Sequence, residues 1–186
     1  MAKIKIKDRG GMLVMNASGR MINPYELNAV DFEPRIIAQT LSRTCRFWGQ
    51  TSEFYSVAQH CLIMEKLFED LELKKWALGH EVFEGLTGMD VPSPIKHSPA
   101  MSEYRNAEEK ALEMFAEIYS LSKPMPDEIK IADKKLMVTE ALRFMNSVNY
   151  DWTQIAQPYN LSIIGKPLSM KEAEIAFITR WYELFD

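Results

Sequence analysis

Taken as a string of apolar and polar positions, the chain changes period near residue 34. Before it, Lys3-Ile4-Lys5-Ile6-Lys7 alternates with period two, and Met12-Leu13-Val14-Met15 follows after Arg9-Gly10-Gly11. Two such runs around a glycine pair predict a small N-terminal β-hairpin. Ser18-Gly19-Arg20 and Asn23-Pro24 are turn residues. The hairpin reads as a cover or an oligomer contact, with no chemistry of its own.

From Pro34 onward the period is helical. Pro34 suits the first turn of a helix, with Ile36, Ile37, Leu41 and Phe47 as its apolar stripe. A second helix is predicted from about Glu53 to Leu71, capped within Thr51-Ser52-Glu53, with Val57, Cys61, Met64 and Phe68 inward. Leu73, Trp76, Ala77, His80 and Glu84 fall at i, i+3, i+4, i+7 and i+11, which predicts a third helix running through His80-Glu81-Val82-Phe83-Glu84. Gly85, Gly88, Pro92 and Pro94 turn the chain after it into a loop carrying Asp90 and Lys96.

Further on, Ser98 or Pro99 opens a helix to about Leu121, with Tyr104, Ala107, Ala111, Met114 and Phe115 inward and Glu108, Glu109, Lys110 and Glu113 on a solvated face. Asp127 to Met145 forms the next, with Ile129, Ala132, Leu136, Thr139 and Leu142 inward. Residues 146–167 read as an irregular arm with one short helix. Ser169 to Phe185 closes the chain, with Met170, Ala173, Phe177 and Trp181 on one side. The fold class is therefore all-α, a helical bundle with a small N-terminal β-hairpin. Residues 1–186 form one domain: hairpin and turn at 1–25, helical core at 34–145, C-terminal arm and helix at 146–186.

Composition narrows the function. A chain of 186 residues with 47% hydrophobic content is long enough to close one core. A net charge of −4 argues against a duplex-binding protein, which would carry a basic face. It leaves room for a small anionic ligand held by a local pair of cations. Cys45 and Cys61, the only cysteines, each sit in an apolar helical pattern and read as reduced core residues of a cytoplasmic protein. No apolar run approaches a membrane span, and the lysine-interrupted start is not a signal peptide.

The candidate chemistry gathers at His80-Glu81-Val82-Phe83-Glu84. At helical spacing His80 and Glu84 share a face one turn apart, with Glu81 beside them. Two carboxylates and an imidazole at the inner end of an apolar helix are costly to bury unless a divalent cation offsets the charge. The remaining candidates carry ordinary alternatives. His60 beside an apolar stripe can be a hydrogen-bonded core residue. Asp133 can be a surface carboxylate pairing with Lys130 or Lys134. Arg43 and Arg46, three apart beside small hydroxyls, can be a solvated face or a phosphate site. A site of His60, His80, Glu81 and Asp133 would offer two nitrogens and two oxygens, a set suited to Mn, Co, Fe, Ni or Zn.

The sequence resembles the HD-domain phosphohydrolases, and within them the small bacterial and phage proteins related to 5′-deoxynucleotidases, a group that includes phage dATP triphosphohydrolases. The resemblance runs through Leu41-Ser42-Arg43-Thr44-Cys45-Arg46-Phe47, Phe54-Tyr55-Ser56-Val57-Ala58-Gln59-His60, the block from His80 to Lys96, Glu103-Tyr104-Arg105 with Glu108, and Ala132-Asp133. It implies an HD-domain helical bundle with one divalent transition metal held by His60, His80, Glu81 and Asp133. It implies catalytic roles for Glu84, which helps position the attacking water, and for Asp90 in the loop. It implies substrate binding by Arg46 at the phosphate, Phe47 near the nucleoside, and Lys96.

The implied function is hydrolysis of a (deoxy)nucleotide, with a metal-activated water attacking phosphorus, as a deoxynucleoside monophosphate 5′-nucleotidase or a deoxynucleoside triphosphate triphosphohydrolase. A base pocket is expected beside Phe47, Trp48 and Tyr104. Partners are then the small-molecule nucleotide, with no duplex nucleic acid and no membrane, and a homo-oligomer is allowed for. The chain departs from the family pattern in carrying His80-Glu81 in place of a His-Asp pair, and in an insertion-like Met89 before Asp90. Both departures keep open an alternative: a catalytically degenerate domain that binds a nucleotide or partner. His97 reads as surface, and Gln50 has no metal role.

Overall fold

Pro34 occupies the first turn of the first long helix, as its fixed φ favours. The computed structural model describes residues 12–186. Among them the chain is predominantly helical with one two-stranded antiparallel sheet. The strands are β1 (Val14–Met15) and β2 (Met21–Ile22), with Val14 opposite Ile22 and Met15 opposite Met21. Ser18-Gly19 turns between them, Gly19 at φ 78°. The strand expected over residues 3–7 lies outside the described residues.

The helices are α1 (Pro34–Arg43), α2 (Val57–Glu65), α3 (Leu71–Gly79), α4 (Val82–Thr87), α5 (Ser93–Lys96), α6 (Ser102–Ile118), α7 (Asp127–Phe144) and α8 (Met170–Phe185). The arm at 146–167 holds two 3-10 turns, Trp152–Gln154 and Leu161–Ile163. One buried apolar cluster runs from Phe32 to Leu184. Within it α1 packs on α4 and α8, α2 on α3 and α8, and α4 on α6.

Several boundaries differ from the sequence pattern, each for a local reason. The first helix stops at Arg43, short of Phe47. Thr44 then enters extended backbone, and Cys45 bridges to Ser56. Phe47 and Trp48 sit at φ 53° and 54°, so neither belongs to a helical stripe. The second helix begins at Val57, after Ser56, whose hydroxyl accepts from the Gln59 amide; Thr51-Ser52-Glu53 lies ahead of it, with Ser52 N donating to Phe144 O at the end of α7. All nine residues of α2 are buried, so it lies inside the bundle and has no solvent stripe.

Leu142 and Met170, expected inward, are exposed, and Cys45 is only half-buried. In α7 and α8 the inward face is carried instead by Val138, Ala141 and Phe144, and by Leu184. Cys61 is buried, and both cysteines are free thiols. The arm is pinned by buried Gln59, whose amide donates to Lys166 O at 3.0 Å and accepts from Leu168 N at 2.8 Å. No helix of the described residues is long and apolar enough to cross a membrane.

Candidate metal centre

His80 does not lie within a continuous helix. α3 ends at Gly79, His80 caps it, and Glu81 leaves helical geometry at φ −100° and ψ 26° before α4 begins. Gly79 permits this close packing, because a Cβ there would fall 2.1 Å from Phe115 Cζ on α6. The break turns both His80 and Glu81 toward α2 and α7. Glu84, one turn into α4, is fully buried beside them.

Four residues converge. His60 from α2, His80, Glu81 and Asp133 from α7 each offer a ligand atom, and these atoms all lie within 4.8 Å of one another. The group could hold a metal ion. The hydrogen bonds behind it decide which nitrogens face inward. His60 Nδ1 lies 2.7 Å from Glu140 Oε1, and His80 Nδ1 lies 2.7 Å from Ala77 O. Each contact uses the Nδ1–H, which leaves both Nε2 atoms aimed at the centre, 3.2 Å apart. Asp133 Oδ1 is buried there without a hydrogen-bond partner, although it is 3.1 Å from His60 Nε2. Two imidazole nitrogens and a carboxylate oxygen thus face one another as acceptors. A divalent cation satisfies all of them, so the donor set fits a transition metal.

Asp133 keeps a 37% exposed side chain overall, which leaves the centre open on one side. It pairs with neither nearby lysine: Lys130 is held by Asp127. His60 is completely buried and hydrogen-bonded to Glu140, and its Nε2 joins the converging group. Burial and the Arg46 charge pull its pKa down, but Glu140 and Asp133 outweigh them and raise it to about 9. Burial keeps the His80 pKa below its usual value. Burial also opposes ionisation of Asp133, but contact with His60 holds its carboxyl below the usual range.

Arg46 comes from the turn Arg46–Gly49. Its amide donates to Tyr55 O, which fixes it beside the start of α2. Its guanidinium is buried among carboxylates: Glu81 Oε1 at 3.3 Å, Glu140 Oε2 at 3.3 Å and Asp133 Oδ1 at 4.0 Å. Trp48 Nε1 donates to Asp90 O at 2.8 Å, tying this turn to the loop. The Asp90 carboxyl is pushed up in pKa by burial. Lys96, at the end of α5, bonds Glu84 and Glu108 together. Tyr104 is buried edge-on against Phe83, with its hydroxyl donating to Met89 O at 2.6 Å, so its ring offers no free face to a base. Phe47 stands 6.3 Å from the Trp152 ring of the arm.

The structure thus brings His60, His80, Glu81 and Asp133 together, with Arg46 against them, Glu84 and Lys96 linked beside them, and Asp90 tethered through Trp48. His97 and Gln50 are exposed. One residue escaped the sequence reading, and the setting of another differs from its periodicity. Glu140 is completely buried and binds His60, Arg46 and the Tyr55 hydroxyl. Its signal was a carboxylate inside the apolar run Val138-Thr139-Glu140-Ala141-Leu142, seven residues beyond Asp133. Glu108, expected on a solvated face, turns inward to Lys96 because α5 lies across α6.

Architecture and centre together define a helical protein with a buried two-histidine, two-carboxylate cluster. No family model matches the chain. It is 35% identical over 123 residues to the uncharacterized protein YfdR of Escherichia coli (strain K12), a match covering 66% of this chain and 67% of that one. The chain belongs to the family of YfdR.

Proposed function

We propose that the protein is an HD-domain-type, metal-dependent phosphohydrolase acting on a nucleotide. The substrate is a deoxynucleoside monophosphate, cleaved as by a 5′-nucleotidase, or a deoxynucleoside triphosphate such as dATP. The observation that carries this reading is the set of inward-facing acceptors on His60, His80, Glu81 and Asp133, with a second, separately held carboxylate pair, Glu84 and Asp90, on the adjoining segment. A divalent transition ion bound by those four residues would acidify water and polarise a phosphoryl oxygen.

The chain's own residues supply the rest. Burial and the nearby Glu81 push the Glu84 carboxyl well above its usual pKa, which suits a group that takes up a proton in the reaction. Burial also raises the Asp90 carboxyl, and Trp48 fixes its backbone, which supports a role for it in protonating a leaving oxygen. Phe47, Trp48 and Trp152 offer aromatic surface for a base in place of Tyr104.

A second reading is a catalytically degenerate domain that binds a nucleotide or partner. One observation favours it. The two cations expected to meet phosphate are already paired with carboxylates, Arg46 with Glu81 and Glu140, Lys96 with Glu84 and Glu108. Release of phosphate, pyrophosphate or triphosphate separates the readings. Deoxynucleoside mono- and triphosphates would be assayed with Mn, Co, Ni, Zn and Mg beside a His80→Ala control. Turnover of one substrate that disappears in the control supports the hydrolase. Silence from metal-loaded protein across the panel overturns it in favour of the binder.

A further inference from the structure

We propose that Lys96 is a positioning residue for Glu84, anchored by Glu108, and not a ligand of the substrate phosphate. This deepens the hydrolase reading and rests on it for its catalytic consequence. Lys96 Nζ lies 3.4 Å from Glu84 Oε1 and also bonds Glu108 Oε1, with its side chain only 19% exposed. It stands over the Tyr104 ring at 5.7 Å. Its backbone is fixed as well, because Arg105 Nη1 donates to both Lys96 O and Ser98 O. A lysine on a flexible four-carbon stem meets phosphate as a free point charge. Here the ammonium is neutralised twice over and held at both ends.

The chemistry explains why two carboxylates are used. Glu84 is buried, and a buried carboxylate needs a partner that a cation supplies. Lys96 is that cation, and among the causes acting on Glu84 it opposes burial and Glu81. Glu108, on the neighbouring helix α6, also binds the ammonium and fixes where it sits. Tyr104 closes the arrangement: its hydroxyl contacts Glu84 Oε1 at 3.4 Å while donating to Met89 O, next to Asp90. The charged or titratable groups around Glu84 are thus Glu81, Lys96, Glu108, Tyr104 and the Cys61 thiol.

The test has one arm that needs no turnover. Unfolding by denaturant at pH 8 is measured for Lys96→Met, Glu84→Gln and the double variant. Lys96→Met leaves Glu84 buried without its cation, and Glu84→Gln relieves that, so the unfolding constants should depart from additivity by about tenfold. Additive effects overturn the pairing. The second arm is steady-state kinetics of the metal-loaded enzyme. Lys96→Met and Glu108→Gln should lower kcat, Lys96→Met by about a hundredfold, with KM nearly unchanged. Lys96→Arg should restore part of kcat. A KM raised about tenfold at unchanged kcat would make Lys96 a phosphate ligand and overturn the proposal. If the wild type turns over nothing, the hydrolase reading falls, and the unfolding cycle alone still decides whether Lys96 is committed to Glu84.

Discussion

The Nε2 atoms of His60 and His80 lie 3.2 Å apart, and the opposite nitrogen of each ring is committed to a fixed acceptor, Glu140 for His60 and the Ala77 carbonyl for His80. Two lone pairs cannot face one another at that distance without a positive charge between them. In the metal-free protein a proton on His60 fills that role, since Glu140 and Asp133 hold its pKa near 9 against burial and the Arg46 charge. A metal bound at this cluster would therefore compete with that proton for one place.

That competition sets the pH dependence of the metal-free protein. A histidine raised from 6.5 to about 9 on folding contributes stability that is fully present below the unfolded value. The contribution is lost as pH rises from about 6.5 through 9, to a total of about 3 kcal/mol. Urea unfolding of metal-stripped protein across pH 6 to 10 should show this decline. Metal binding must displace the same proton, so affinity should rise with pH up to about 9, by at most about tenfold per unit. Calorimetry in buffers of different ionisation enthalpy would register the released proton, and a pH-independent affinity would contradict the assignment.

Glu140 holds three groups at once: His60, Arg46 and Tyr55. Glu140→Gln removes a buried charge and leaves the buried Arg46 guanidinium with fewer partners. Such a loss costs about 3 kcal/mol. Denaturant midpoints at pH 7 would measure it. A change below about 0.5 kcal/mol, the range of an ordinary surface substitution, would show that Glu140 is not integral to the cluster.

Gly79→Ala tests the close approach of α3 to α6. The added Cβ would meet the Phe115 ring, with Cζ at 2.1 Å and Cε1 at 2.6 Å, so the helices must separate. Overpacking of this kind costs about 2 kcal/mol. Because His80 follows directly, metal affinity should fall along with the thermal midpoint; a variant of lowered stability but intact metal affinity would mean that the centre does not depend on this packing.

Glu81→Asp shortens the side chain that Arg46 Nη1 contacts at 3.3 Å. An aspartate still offers a carboxylate to a metal but reaches less far toward the guanidinium. Under the hydrolase reading Arg46 becomes freer for phosphate, and KM for the nucleotide should fall by about tenfold with metal content preserved. Loss of metal in Glu81→Asp would instead mean that the longer side chain is needed to reach the centre.

The sequence alone carried the class of the fold and the nucleus of the site. Helical period is local, so the stripes of Ile36, Ile37 and Leu41, of Ala107, Ala111 and Phe115, and of Ala173, Phe177 and Trp181 were legible residue by residue, and all are buried. The crowding of His80, Glu81 and Glu84 was legible too, because all lie within one short run of chain. Tertiary packing decided what periodicity cannot express. It broke the helix at Glu81, packed Phe115 where only a glycine fits at position 79, and ended α1 before Phe47, where Cys45 pairs with Ser56. It made Glu140 an inner carboxylate and placed Arg46 among three acids, since the charges that stabilise each other there come from positions 94 residues apart in the chain. Local patterns fix which side chains face inward, whereas a buried charge is tolerated only by partners that the fold alone brings near.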